Sequence, residues 1–143
     1  MSYSKIIENL YLGNQYSTST IKNINIIISI GSNSKHENNN VHNVKIPITD
    51  KITTDITPYL DKVTDIIYNG LKNNKKILVH CKAGINRSTS FIIAYLIRYN
   101  NMTLEQAQQH VLKRRNVKFK NNFMEQIKNK YVNNKESSQI STK

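Results

Sequence analysis

The feature that most restricts this chain is a short apolar strand that runs, through one tight loop, into a helix with no polar face. Residues Lys76–His80 read KILVH, a continuous apolar run that suits a strand buried on both sides. Residues Ser88–Tyr99 read STSFIIAYLIRY, apolar nearly all round, as a buried central helix would be. Two such elements in succession need covering layers above and below, which the rest of the chain supplies. Glu8–Leu12, Asn25–Ile30 and Val41–Ile48 read as further strands, the last with Pro47 at a strand end or edge. Between Pro58 and Leu71, apolar Leu60, Val63, Ile66, Ile67 and Leu71 recur at helical spacing, with Thr57 as cap and Pro58 as a favoured first residue. Thr103-Leu-Glu-Gln106 has the capping-box pattern and opens a third helix, with Leu104, Ala107, Val111 and Leu112 expected to face inward. Asn122 and Glu125 repeat that pattern before a last helix running to about Tyr131. Strand–helix alternation predicts an α/β fold: a central, largely parallel sheet of about four to five strands flanked by helices.

The bulk properties narrow the setting. A chain of 143 residues is one domain in length, with residues 1–133 expected to form it. The tail from residue 134 to 143, NKESSQISTK, has no core-forming residue and is expected to be disordered. No apolar stretch approaches the roughly 18 residues of a membrane span, and MSYSKIIENLYLGN lacks the basic start and apolar core of a secretory signal. With one cysteine, Cys81, no intrachain disulfide is possible, and a reducing compartment, most simply the cytoplasm, is expected. The formal net charge of +12 favours anionic partners. Its lysines are scattered instead of clustered among aromatics, which argues against nucleic-acid binding. Heavy use of Ile, Asn and Lys, the amino acids of A/T-rich codons, points to a virus or protist with a biased genome.

The loop between the buried strand and the buried helix carries the chemistry. Ligands in α/β folds sit where a strand's carboxyl end meets a helix N-terminus. Free backbone N–H groups and the positive end of the helix dipole make that junction an anion site. Gly84 permits a tight loop in which successive N–H groups from Lys82, Ala83, Gly84, Ile85 and Asn86 can cradle the oxygens of a phosphate. Arg87 adds a planar fork that binds two oxygens at once. A cysteine at the floor of such a cradle feels the same fields, which favour thiolate over a thiol that otherwise titrates near ~8.5. Cys81 is thereby placed for in-line attack on phosphorus. Ser88 can donate to the sulfur and help it leave, while His80 is expected to order the loop rather than act as a base. A lone Cys at a strand end is ordinarily a buried hydrophobe. An arginine directly before a wholly apolar helix, however, needs an anionic partner or solvent.

The segment HCKAGINRS (His80–Ser88) resembles the His-Cys-five-residues-Arg-Ser/Thr signature of the protein tyrosine phosphatases, and most of all their small dual-specificity branch. NLYLGN, IPITD and NNFMEQI stand in the order that branch shows, so the resemblance covers nearly all of the chain. The asparagine before the arginine and the TTDI stretch (Thr53–Ile56) are similar to the poxvirus dual-specificity phosphatases. The resemblance implies a tyrosine-phosphatase-like fold and hydrolysis of phosphate monoesters on phosphotyrosine and phosphoserine or phosphothreonine proteins through a phosphocysteine. It also implies a general acid on a loop some thirty residues before the cysteine. Asp50 matches that position; Asp55 competes but is explained as a residue bracing the start of a helix. Neither a metal nor another cofactor is expected, since His36, His42 and His110 form no cluster with ligand spacing. Arg114 and Arg115 read as a solvated helix end.

Departures from the family refine these expectations. Lys118-Phe-Lys-Asn-Asn stands where many relatives have a proline before the asparagine, a change expected to affect helix geometry more than chemistry. The chain begins only a few residues before its first strand, without the extra N-terminal helix that the poxviral relatives use to dimerise, so a monomer is expected. Two other functions use similar loops. One is an RNA 5′-phosphatase or a phosphoinositide phosphatase, though lipid-directed loops tend to carry two lysines and this one has only Lys82. The other is a phosphate-binding module without turnover, in which the cysteine or arginine is usually lost.

Overall fold

A computed structural model describes residues 2–31, 40–82 and 86–133. Its strands are β1 (Tyr3–Ile7), β2 (Leu10–Gly13), β3 (Ile26–Ile30), β4 (His42–Ile46) and β5 (Ile77–His80). Its helices are α1 (Ser17–Thr20), α2 (Thr57–Lys72), α3 (Arg87–Tyr99), α4 (Leu104–Leu112) and α5 (Asn121–Ile127), the last continued by a π-helical turn, Lys128–Asn133. The strands form one sheet in the order β1-β2-β5-β3-β4, in which only the β1–β2 pair is antiparallel. The expected core strand is therefore at the sheet centre, and every residue of β5 is buried.

Period-two alternation sorts the strand side chains between two faces. Leu10, Leu12, Ile28, Ile30, Ile77 and Val79 point into the main core. Their neighbours Tyr11, Ile27 and Leu78 point into a smaller cluster closed by Ile21, Ile24 and Val41. The main core is covered by α2 and α3, with α4 and α5 packed on α3. Ten successive residues of α3, Ser88 to Ile97, are buried. None of the helices in the described residues is long and apolar enough to cross a membrane.

Several local readings hold. Thr103 caps α4 as a full capping box: the Gln106 N–H donates to its Oγ1 at 3.1 Å, and its own N–H donates to Gln106 Oε1 at 2.9 Å. Others are corrected. The expected strand Glu8–Leu12 is the second arm of a hairpin, because Asn9 adopts φ 67° and turns the chain at Glu8–Asn9. Leu112 is 42% exposed at the end of α4, beyond the reach of the core. Thr57 is the first residue of α2 and not its cap; the free N–H groups there are taken by Gln126 Oε1, at 2.6 Å from the Ile56 nitrogen and 3.2 Å from that of Thr57. Asn122 likewise lies inside α5, whose start has no side-chain cap.

Among the described residues, asparagine supplies every left-handed position but that of Gly31: Asn9, Asn23, Asn74 and Asn101 all have φ between 57° and 67°. Asn74 ends α2 in a Schellman arrangement, with Lys75 N–H donating to the Gly70 carbonyl at 2.9 Å and Asn74 N–H to that of Leu71 at 3.1 Å.

Phe91 is fully buried on α3, so Phe91→Ala is expected to cost about 3–5 kcal/mol through lost burial and the cavity left behind. Ile52→Ala, at a side chain 81% exposed, is expected to stay within about 0.5 kcal/mol of wild type. Urea unfolding midpoints of the two variants check the contrast.

Candidate active site

The site forms where β5 ends. His80, the last strand residue, is wholly buried, and its Nε2 lies 2.7 Å from the hydroxyl of Ser29 on the neighbouring β3. Burial pulls its pKa down to about 4, against a smaller opposing influence of the Cys81 backbone. The ring is thus neutral at physiological pH, which fits ordering of the strand end and not proton transfer. The next residue, Cys81, is 2% exposed, and the Ser88 hydroxyl in the first turn of α3 donates to its sulfur at 3.2 Å. Ala83, Gly84 and Ile85, expected to cradle phosphate, lie outside the described residues, as does the tail from 134 to 143.

Arg87 opens α3, and its Nη1 donates to the carbonyls of Ile48 at 3.2 Å and Gly31 at 3.4 Å. These carbonyls come from the chain just beyond β4 and β3, so the guanidinium ties both strand ends to the helix start. Gly31 has φ +64°, and a Cβ there would lie 2.1 Å from Arg87 Nη1 and 2.3 Å from the Ile48 oxygen. Only glycine fits this conformation and this approach together.

Asp50 stands on the segment between β4 and α2. Its Oδ1 accepts from Lys120 Nζ at 2.7 Å and its Oδ2 from Asn86 Nδ2 at 3.4 Å. Partial burial would raise its carboxyl, but the hydrogen bonds from Lys120 and Asn86 and the charges of Lys120 and Arg87 outweigh this and hold it below the ordinary value. Asp55 accepts the Thr57 N–H at 3.0 Å and so braces the start of α2, as its position implied. The whole segment is fastened to α5. Asn122 Nδ2 donates to the Ile52 carbonyl at 3.0 Å, and Gln126 Nε2 to that of Thr54 at 2.9 Å.

A cleft of about 390 Å³ gathers the pieces: Cys81, Lys82, Asn86, Arg87 and Asp50 line it together with Gln15. Gln15 carried no signal in the sequence; it arrives through β2, its N–H donating to the Lys82 carbonyl at 3.3 Å. Arg115 is a second residue that local reading misplaced. Far from being a solvated helix end, it is half-buried and donates to Ser4 Oγ at 3.2 Å and the Ser2 carbonyl at 3.1 Å. Burial lowers its pKa while the charge of Cys81 pulls the other way, so it lies within electrostatic reach of the sulfur. His110 is spent on the Ile6 carbonyl at 2.8 Å, and His42 is exposed on β4.

Residues 10–133 match the family described as dual specificity phosphatase, catalytic domain. This chain belongs to that family. It is accordingly a phosphatase of the protein-tyrosine/dual-specificity class, within the tyrosine phosphatase superfamily that His80–Ser88 resembled. Protein 123R of Invertebrate iridescent virus 6, which carries the name of a tyrosine phosphatase, is 36% identical over 128 residues, covering 89% of this chain and 90% of its own. The dual specificity protein phosphatase OPG106 of vaccinia virus is 34% identical over 106 residues, covering 71% of this chain but only 62% of its own. The viral kinship expected from the residues is met in both. Human DUSP28 shares the fold, with a TM-score of 0.88 at 18% identity over 94% of this chain and 96% of its own.

Two outcomes follow for this dual-specificity phosphatase domain. Gly31→Ala is expected to displace Arg87 and cut turnover by at least tenfold while the protein remains folded, measured as kcat/KM beside far-ultraviolet circular dichroism. His80, with a pKa near 4 in place of the ordinary 6.5, contributes stability in full above pH 6.5 that is lost as the pH falls towards 4. The loss amounts to about 3 kcal/mol. Urea midpoints of wild type and His80→Asn between pH 4 and 7 check this, with a flatter profile expected for the variant.

Proposed function

We propose that this phosphatase hydrolyses phosphate monoesters on phosphotyrosine and on phosphoserine or phosphothreonine proteins through a phosphocysteine on Cys81. The observation that carries the reading is the Ser88 hydroxyl 3.2 Å from the Cys81 sulfur, in a cleft that Arg87 and Asp50 also line.

In the first step the Cys81 thiolate attacks phosphorus while the bond to the leaving oxygen breaks. That oxygen takes a proton from the Asp50 carboxylic acid and departs as an alcohol or phenol. Arg87, its plane fixed by the Ile48 and Gly31 carbonyls, holds two equatorial oxygens of the transferring group. In the second step water attacks the phosphocysteine, Asp50 takes the proton released, and the sulfur–phosphorus bond breaks. Ser88 stabilises the departing thiolate through its hydrogen bond, and inorganic phosphate leaves. The family match, to a dual specificity phosphatase catalytic domain, supports alkyl as well as aryl esters as the substrate class.

Hydrolysis of p-nitrophenyl phosphate is expected for wild type across pH 5 to 8 in the presence of chelator. Cys81→Ser is expected to lose it by at least a thousandfold while keeping fold and phosphate affinity. Asp50→Asn is expected to slow phosphoserine peptides more than p-nitrophenyl phosphate, whose leaving group needs little help from an acid. Turnover in Cys81→Ser near the wild-type rate would overturn the assignment, and no turnover from folded wild type would point to a specialised RNA or lipid substrate or to a phosphate-binding module.

A further inference from the structure

Lys120 is the residue immediately before α5, and its ammonium grips Asp50 twice. Its Nζ lies 2.7 Å from Asp50 Oδ1 and also hydrogen-bonds the backbone carbonyl of the same residue. The ammonium faces the Phe123 ring at 5.7 Å, which limits where else it can go, and the Lys120 side chain is 25% exposed. Asp50 also faces Asn86 and Arg87 at the start of α3, Lys82 and Cys81 across the cleft, and Lys51 beside it in the chain. Among the described residues, Lys120 is the cation paired with it at salt-bridge distance. The substitution pattern Lys118-Phe-Lys-Asn-Asn, read from sequence as a matter of helix geometry, therefore reaches the chemistry: α5 forms without a side-chain cap, and the lysine side chain is spent on the acid loop.

We propose that Lys120 is a positioning residue that clamps Asp50 at the cleft in its carboxylate form and thereby biases turnover towards phenolic over alkyl leaving groups. The proposal rests on Asp50 being the acid of the mechanism above. Asp50 must be a carboxylic acid when the leaving oxygen departs and a carboxylate when water attacks the phosphocysteine. A neighbouring ammonium disfavours the first form and favours the second. It therefore opposes proton donation, which an alkoxide needs most and a phenoxide least, and assists the hydrolytic step. The sign for pH follows. Donation fails as pH rises through the Asp50 pKa, which Lys120 holds low, so removing the ammonium moves the descending limb of kcat to higher pH.

The test uses Lys120→Met and Lys120→Gln, with Lys120→Arg as the variant that keeps the charge. Phosphoserine and phosphotyrosine peptides of one sequence are compared from pH 3 to 8.5, a range that reaches down into the carboxylate region where Asp50 titrates. For the two neutral variants, the phosphotyrosine-to-phosphoserine ratio of kcat at pH 7.5 is expected to fall about 2- to 5-fold, the range a partly exposed ion pair commands. Their descending limb is expected at higher pH, while Lys120→Arg stays near wild type. A carbon-13 titration of the Asp50 carboxyl, assigned with Asp50→Asn, gives a readout independent of turnover. It is expected to move to higher pH in both neutral variants. An unmoved carboxyl titration in folded Lys120→Met and Lys120→Gln overturns the clamp. A carboxyl that moves while the kinetic limb does not overturns the bias on leaving groups and shows that the acid is another group than Asp50.

Discussion

A guanidinium at the mouth of a buried helix is the constraint around which this site is arranged. Arg87 begins α3, whose next residues are buried without interruption from Ser88 to Ile97, so its charge can face only the cleft and the backbone beside it. The chain answers with carbonyls from two other strands' ends, Ile48 and Gly31. Those carbonyls fix the direction of a half-buried guanidinium, so the loop geometry at both strand ends sets where Arg87 points. The same requirement explains why a glycine stands at position 31 and why the start of α3, the end of β3 and the stretch before Asp50 converge on one point.

The segment that carries Asp50 obeys a different rule. Residues 49–56 have little apolar surface to bury apart from Ile56, and Ile52 points into solvent. Their place is set by polar side chains reaching from one short helix and its approach: Lys120, Asn122 and Gln126 hold Asp50, Ile52, Thr54, Ile56 and Thr57 in turn. Hydrogen bonds at a partly wet surface are individually modest, near 1 kcal/mol each. A segment held this way depends on several weak contacts acting together rather than on burial.

What could be read in the sequence was what local chemistry decides. KILVH and the helix after it were legible because burial on every side leaves an unbroken apolar run, and Thr103 because a capping box is complete within four residues. The meeting of Cys81, Arg87 and Asp50 at one cleft, with Ser88 on the sulfur, was legible because the loop is contiguous and Asp50 follows a strand end. The hairpin at Glu8–Asn9 escaped because one residue's φ decides it. Thr57 and Asn122 were assigned to caps that their neighbours could have accepted, but Gln126 reaches across from α5 to the first, and the acid loop claims the second. Gln15, Gly31, Arg115 and Lys120 each act on a partner far away in the chain, and no pattern within a window of residues encodes that.

The asparagine turns carry a consequence of another kind. Asn9, Asn23, Asn74 and Asn101 stand in left-handed backbone, which asparagine, among residues with a side chain, is one of the few to enter at low cost. Gly31 marks where it cannot, because there the obstacle is the atom a side chain would add. Four corners of this fold thus admit a side chain where the fifth, beside the arginine, does not, and the two kinds of corner are told apart by the space around Cβ and not by φ.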